Sequence, residues 1–248
     1  MSGHSKWSTI KRKKGAIDAK RGKVFTRLIK EITIAAREGG GDVDTNPRLR
    51  LAVQNAKGAN MPKDNIERAI KKATGSEADN YLESTFEGYA AHGIAVFVEC
   101  LSDNNNRTVA NVRAAFNRYG GSLGTNGSLS FLFDRKGIFT IPKSDEIDMD
   151  EFELELIDAG AEDIEVEDDM ITVTSALEDF GSILKKLESM EITAESAELQ
   201  RIPNDTKELD IESARKVLKL IEALEDDDDI QNVFHNLEMT EELADELG

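Results

Sequence analysis

A single cysteine, Cys100, excludes an internal disulfide and a thiolate zinc cluster, and it suits a reducing cytoplasm. Histidine is nearly as scarce. His4, His92 and His235 stand at no metal-ligand spacing, and no Ser-His-Asp or Cys-His pairing suggests nucleophilic catalysis. Aromatic residues make up 6% of the chain, with one tryptophan, so base-stacking platforms cannot be numerous. No apolar run approaches the ~20 residues of a membrane span, and none follows the basic start as a signal peptide would require. The glycine-rich stretch GGSLGTNG, from Gly120 to Gly127, lacks the Lys-Ser/Thr of a P-loop and precedes a strand pattern instead of a helix. It reads as a structural turn. These absences describe a soluble, cytoplasmic chain for which no cofactor, no metal and no catalytic machinery is expected, and for which a monomer is the expected state.

What the chain has in quantity is charge, and the two signs are segregated. With 39% hydrophobic and 32% charged residues it is globular in character, and its formal net charge is −18. Yet residues 1–72 carry 18 basic and 7 acidic side chains, a net of +11, which leaves 13 basic and 42 acidic for the other 176, a net of −29. Such asymmetry points to a nucleic-acid partner held at the basic end, since the acidic remainder repels phosphate.

The basic residues fall into two sets. An arm from Ser2 to Leu28 holds Lys6, Lys11, Arg12, Lys13, Lys14, Lys20, Arg21, Lys23 and Arg27 against one acid, Asp18. Lysine and arginine bind phosphate through charge without reading sequence, and Trp7 adds a flat surface for a base. A second set, Arg48, Arg50, Lys57, Lys63, Arg68, Lys71 and Lys72, lies on predicted helices, where a phosphate-binding face and an ordinary solvated face are equally consistent with the pattern. The run Asp226–Asp229 lacks an EF-hand pattern and reads as a solvated linker.

Periodicity divides the chain into three. Phe25, Leu28, Ile29, Ile32, Ala35 and Ala36 recur at helical spacing, and Asn46-Pro47 and Pro62 open two further helices closed by Gly58 and Gly75. A basic helical domain over 1–78 is expected. Strands follow at 86–89 and 94–101, then a helix over 104–119 and a strand over 128–134. The series 137–202 reads strand, helix, strand, strand, helix, strand, the βαββαβ order of a ferredoxin-like unit over 135–205. The helix 211–224 and strand 230–237 cannot bury themselves, so they are expected to return to the sheet of 79–134. That would make a discontinuous α/β domain of 79–134 plus 206–248. The fold class is therefore α+β: an N-terminal three-helix domain followed by two α/β domains, the last inserted into the middle one. The acidic ending, 238–248, reads as a frayed tail.

Several stretches together resemble the YebC family, whose relatives include a mitochondrial translational activator of cytochrome oxidase subunit I. They are SGHSKW at Ser2–Trp7, KRKKGAIDAKRGKVFTRL, NPRLRLAVQNAKGANMPKDNIERAI, FEGY, IAVFVEC, NRT at Asn106–Thr108, GGSLGTNGS and LEDDDDIQNVFHN. One departure is Ala90-Ala91-His92, where the family more often has Gly-Pro-Gly. Because the signature opens at Ser2, the basic start is expected to belong to the working protein. The resemblance implies three domains and a cytoplasmic regulator without cofactor. It also implies one of two roles: a translation factor contacting ribosomal RNA near the peptidyl-transferase centre at proline-rich stretches, or a DNA-binding transcriptional regulator.

The residues assigned to nucleic acid are His4, Lys6, Trp7, Lys11, Arg12, Lys13, Lys14, Lys20, Arg21, Lys23, Arg27, Arg48, Arg50, Lys57 and Lys63. No recognition-helix pattern is obvious, which favours RNA and the ribosome over promoter DNA. A small-molecule-sensing ferredoxin-like regulator would need an apolar pocket between sheet and helices. A metal-dependent hydrolase would need clustered ligands.

Overall fold

The structure, a computed structural model, describes residues 18–75, 80–167, 169–240 and 242–243, with side chains from residue 22 onward. His4, Lys6, Trp7 and Lys11–Lys14, and the side chains of Lys20 and Arg21, lie outside the described residues. In chain order the helices and strands are α1 (Asp18–Gly39), α2 (Pro47–Gly58), α3 (Lys63–Ala73), β1 (Leu82–Tyr89), β2 (Ala95–Ser102), α4 (Asn105–Arg118), β3 (Ser122–Leu123), β4 (Phe133–Pro142), α5 (Met149–Asp158), β5 (Ala161–Glu167), β6 (Met170–Ala176), α6 (Phe180–Ser189), β7 (Ser196–Pro203), α7 (Ile211–Glu225) and β8 (Ile230–His235). The fold is α+β, with two four-stranded sheets. Among the described residues, no helix is long and apolar enough to cross a membrane.

The chain forms two compact units, drawn from Met1–Lys30, Ala78–Asp134 and Ile202–Gly248, and from Glu31–Glu77 and Arg135–Arg201. The first unit is built on the sheet β3-β1-β2-β8, whose pairs are antiparallel. β2 sits inside it, with Val98 between Phe86 of β1 and Val233 of β8. It reads as a nearly unbroken apolar run because both faces are covered. Val96, Val98 and Cys100 pack with Val112 and Phe116 of α4 and with Val217 and Ile221 of α7. Ala95 and Phe97 cluster on the other face with Leu129, Phe133 and Phe234. α7 is held at its start by Asp210, which accepts from the Ser213 amide at 3.0 Å. Beyond β8 the chain does not fray at once. Leu237, Met239 and Leu243 are buried in the same core as α7, since apolar side chains recur there among the acids.

The second unit contains the order β4-α5-β5-β6-α6-β7 with strands arranged β5-β6-β4-β7, the ferredoxin-like arrangement. Phe152 and Leu156 of α5 and Ile183 and Leu187 of α6 fill the sheet face against Phe139, Ile141, Ile171 and Val173, all essentially inaccessible. The helices α2 and α3 belong to this unit. Asn46 caps α2 by accepting from the Leu49 amide, and its own amide donates to the carbonyls of Ala35 and Gly40. Asn55 is matched to residue 197 in both directions, its side chain donating to the Ala197 carbonyl and accepting from the Ala197 amide. Gly58 does more than end α2. A Cβ there would stand 1.8 Å from the Glu195 carbonyl oxygen, so the close approach of the two backbones requires glycine.

One local expectation differs. Of the strand expected over 128–134, only Phe133 and Asp134 are in one. The chain turns through a short 3-10 segment at Ser130–Leu132, and β4 then runs unbroken from Phe133 to Pro142. The cause is Glu87, buried on β1, whose carboxylate accepts from the amides of Gly127 at 2.7 Å and Leu129 at 2.5 Å. The glycine-rich turn is thus structural. The two amides that a phosphate could have used are taken by a carboxylate of the chain itself.

Candidate nucleic-acid interface

In the first unit, Lys23, Arg27 and Lys30 follow one another at spacings of four and three residues, which sets them along one stripe of α1. That stripe meets the acidic turn between α7 and β8. Lys23 pairs with Asp226 at 2.5 Å, and Arg27 donates to the Glu225 carbonyl at 2.6 Å. A cation on the open carbonyls of a helix C-terminus satisfies groups that the helix cannot satisfy itself. Lys30 goes deeper. It is 6% exposed, and its ammonium donates to the carbonyls of Leu101 and Asp228 and lies 3.4 Å from Asp229 Oδ1 and 5.3 Å from the centre of the Tyr81 ring.

Asp229 is the hub of this cluster. It is 3% exposed, and its carboxylate accepts from Arg107 through both Nε at 2.9 Å and Nη2 at 2.7 Å, and from Thr108 Oγ1 at 3.1 Å. Burial pushes its pKa up, but the bonds from Arg107, Ser102 and Thr108 and the charge of Lys30 outweigh this and hold the carboxyl below its usual range. Arg107 also reaches Asp103 at 2.8 Å, and its own pKa is raised, first by the bond to Asp229. A cleft of about 500 Å³ opens beside the cluster, lined by both signs of charge, with Lys30 and Arg107 facing Asp103, Asp227 and Asp228. Nearby, the Cys100 thiol is pushed up to about 12, mainly by burial and then by Asp227, Asp229 and Glu99.

The acidic run is therefore not the solvated linker that its composition suggests. Asp226 is exposed, but Asp229 is buried, because a carboxylate with two cations and a hydroxyl around it can leave water. Lys30, Arg107 and Glu87 belong to these clusters although composition does not single them out. The signal for Arg107 was present in the NRT motif. The signal for Lys30 was its place in the stripe of α1.

In the second unit, Arg48 is half-buried and bridges Glu31 at 2.9 Å and Glu38 at 2.8 Å. Arg50 donates to the carbonyls of Val43 and Asp44 in the turn before α2. Lys57, at the end of α2, and Lys63, at the start of α3, are exposed, Lys63 standing 3.5 Å from Glu67. Arg68, Lys71 and Lys72 are exposed along α3, while Ile66, Ala69 and Ala73 face inward. Among the described residues, the cations assigned to nucleic acid divide into those that hold the chain together (Lys23, Arg27, Arg48 and Arg50) and two that face solvent (Lys57 and Lys63). Among the described residues, no group of three His, Cys, Asp or Glu side chains could hold a metal ion.

An α+β chain with a basic N-terminal sequence and a ferredoxin-like unit is the class that fold and charge define. Comparison with known proteins makes it specific. Residues 5–76 match the family described as the TACO1/YebC protein N-terminal domain, and residues 81–237 match the TACO1/YebC second and third domain. The chain belongs to the TACO1/YebC family. A relative from Amoebophilus asiaticus is 56% identical over 96% of this chain and 98% of its own, and one from Rubrobacter xylanophilus is 51% identical over the whole of both. Each is named "Probable transcriptional regulatory protein". The crystal structure of a conserved hypothetical protein from Aquifex aeolicus is similar with a TM-score of 0.80 and 42% identity, over 91% of this chain and 93% of that one.

Proposed function

We propose that this chain is a non-catalytic, nucleic-acid-binding regulator of gene expression, acting as a translation factor that contacts ribosomal RNA near the peptidyl-transferase centre. The observation that carries the reading is the charge segregation, +11 over residues 1–72 against −29 over the rest. The phosphate contacts fall to the arm residues Lys6, Lys11–Lys14, Lys20 and Arg21, with His4 and Trp7 beside them, and to Lys57 and Lys63. Lys23, Arg27, Arg48 and Arg50 are engaged with the chain's own carboxylates and carbonyls, and their part is to support the helices that carry the others. The acidic remainder keeps the polymer at the basic end. The choice of ribosomal RNA comes from the family resemblance and from the absence of a recognition-helix pattern.

A second reading, a DNA-binding transcriptional regulator, is favoured by the names of the relatives. A small-molecule sensor has less to support it, because large side chains fill the place between the ferredoxin-like sheet and its helices. Crosslinking the protein in cells and sequencing what it holds separates the two nucleic-acid readings. Ribosomal RNA enriched over chromosomal DNA is the expected result, promoter DNA would replace translation by transcription, and recovery of neither would remove both.

A further inference from the structure

Phe131 is 70% exposed, more than any other large apolar side chain among the described residues. It stands in the 3-10 turn Ser130–Leu132, which is braced on both sides. Leu129 before it and Phe133 after it are buried, clustered with Ala95, Phe97 and Phe234. The buried carboxylate of Glu87 holds the Gly127 and Leu129 amides, and the Leu132 amide donates to the Leu129 carbonyl at 2.9 Å. The side-chain amide of Asn204 donates to the Phe131 carbonyl at 3.1 Å. The backbone is fixed while the ring it carries stays in water.

From Tyr119 to Phe133 the chain has no charged residue, although 32% of the whole is charged. Thr125, Asn126 and Ser130 are exposed in this stretch and offer hydroxyl and amide groups. A ring left in water forgoes the stabilisation of burial, and the turn has its apolar anchors in Leu129 and Phe133. Single exposed apolar side chains are common, but one held on a braced turn is preorganised for contact. A protein partner calls for a contiguous apolar patch. A lone ring among uncharged donors and acceptors suits a nucleobase, which has a face for stacking and a polar edge for hydroxyls and amides. The turn has no charge with which to repel the neighbouring phosphates.

We propose that Phe131 is a stacking platform for an unpaired RNA base. The proposal rests on the nucleic-acid reading above and deepens it: the basic end holds phosphates, and this turn takes a base.

The test uses the full chain with a fluorescein-labelled, unstructured single-stranded RNA and with inorganic polyphosphate, which has the charge but no bases. Phe131→Ala should weaken RNA binding about tenfold, with the slope of log affinity against log salt and the binding of polyphosphate unchanged. Phe131→Trp keeps an aromatic face and should bind RNA as the wild type does, whereas Phe131→Leu should fall with Phe131→Ala. The ring is exposed, so the variants should unfold at the wild-type temperature, and the Trp and Leu pair, both large and apolar, decides the matter without Ala. RNA binding that Phe131→Ala leaves unchanged, or that Phe131→Leu retains in full, would overturn the proposal and leave the nucleic-acid reading standing. Equal weakening of RNA and polyphosphate would overturn it too, since no base would then be involved. Failure of the wild-type protein to bind RNA would overturn both.

Discussion

Asp229 is buried where two cations and a hydroxyl converge. Replacing it by asparagine leaves the Lys30 ammonium in a nearly dry site without a counter-charge. The expected loss is about 3 kcal/mol of stability, measured by denaturant unfolding at pH 7. The pH dependence follows from the lowered pKa. The stabilisation is present above the unfolded-state value of about 3.9 and is lost as pH falls through the folded-state value below it. The wild-type advantage over Asp229→Asn should therefore be full at pH 6 and should shrink below about pH 4. An advantage that does not change between pH 6 and 3 would contradict the role given to Asp229. None of this was legible in the run of four aspartates, where one residue is buried and its neighbour Asp226 is exposed, because the partners Lys30 and Arg107 are distant in sequence. Cys100, by contrast, is buried within the apolar run of β2, and that burial follows from the local sequence alone.

At the scale of elements, the legible features were the local ones. Asn46 and Pro47 announce the start of α2 and the structure finds the cap there, and the nearly unbroken apolar run of β2 announces a strand covered on both faces. What could not be read is where a loop is held from a distance. Residues 128–134 have the composition of a strand, but Glu87, some forty residues earlier, fixes the amides of Gly127 and Leu129 and turns the chain. Gly58 looked like a helix terminator, and its tighter requirement, the approach of residue 195, has no local signature. Glu87→Gln keeps the shape but replaces one acceptor by a donor aimed at an amide. The expected cost is about 1–3 kcal/mol, with faster hydrogen exchange at Gly127 and Leu129 before other sites. Unchanged exchange at those two amides would show that the turn holds itself. His92, in the turn between β1 and β2, takes φ 62°, a conformation that side chains rarely adopt.

At the scale of the whole molecule, the order of strands and helices was legible because each element has its own periodicity, and βαββαβ admits few arrangements. The return of α7 and β8 to the first sheet could be inferred from their inability to bury themselves alone. Every strand pairing of that sheet lies within 80–134 and 206–248, so excising 135–205 and joining the ends should leave it folded. Circular dichroism with a cooperative thermal transition would support this layout, and an aggregated product would contradict it.

The central claim, that the basic end binds nucleic acid through phosphates, is tested most directly by the salt dependence of binding. If Lys11, Arg12, Lys13 and Lys14 each neutralise one phosphate, replacing all four by alanine should flatten the slope of log affinity against log salt by roughly 3. Over a fourfold change in salt this amounts to about two powers of ten in relative affinity. The titration is run against ribosomal RNA and duplex DNA, with the thermal midpoint as a control for folding. The expected result is a flattened slope, with ribosomal RNA the tighter target. A variant that matches the wild type in both slope and affinity would contradict it.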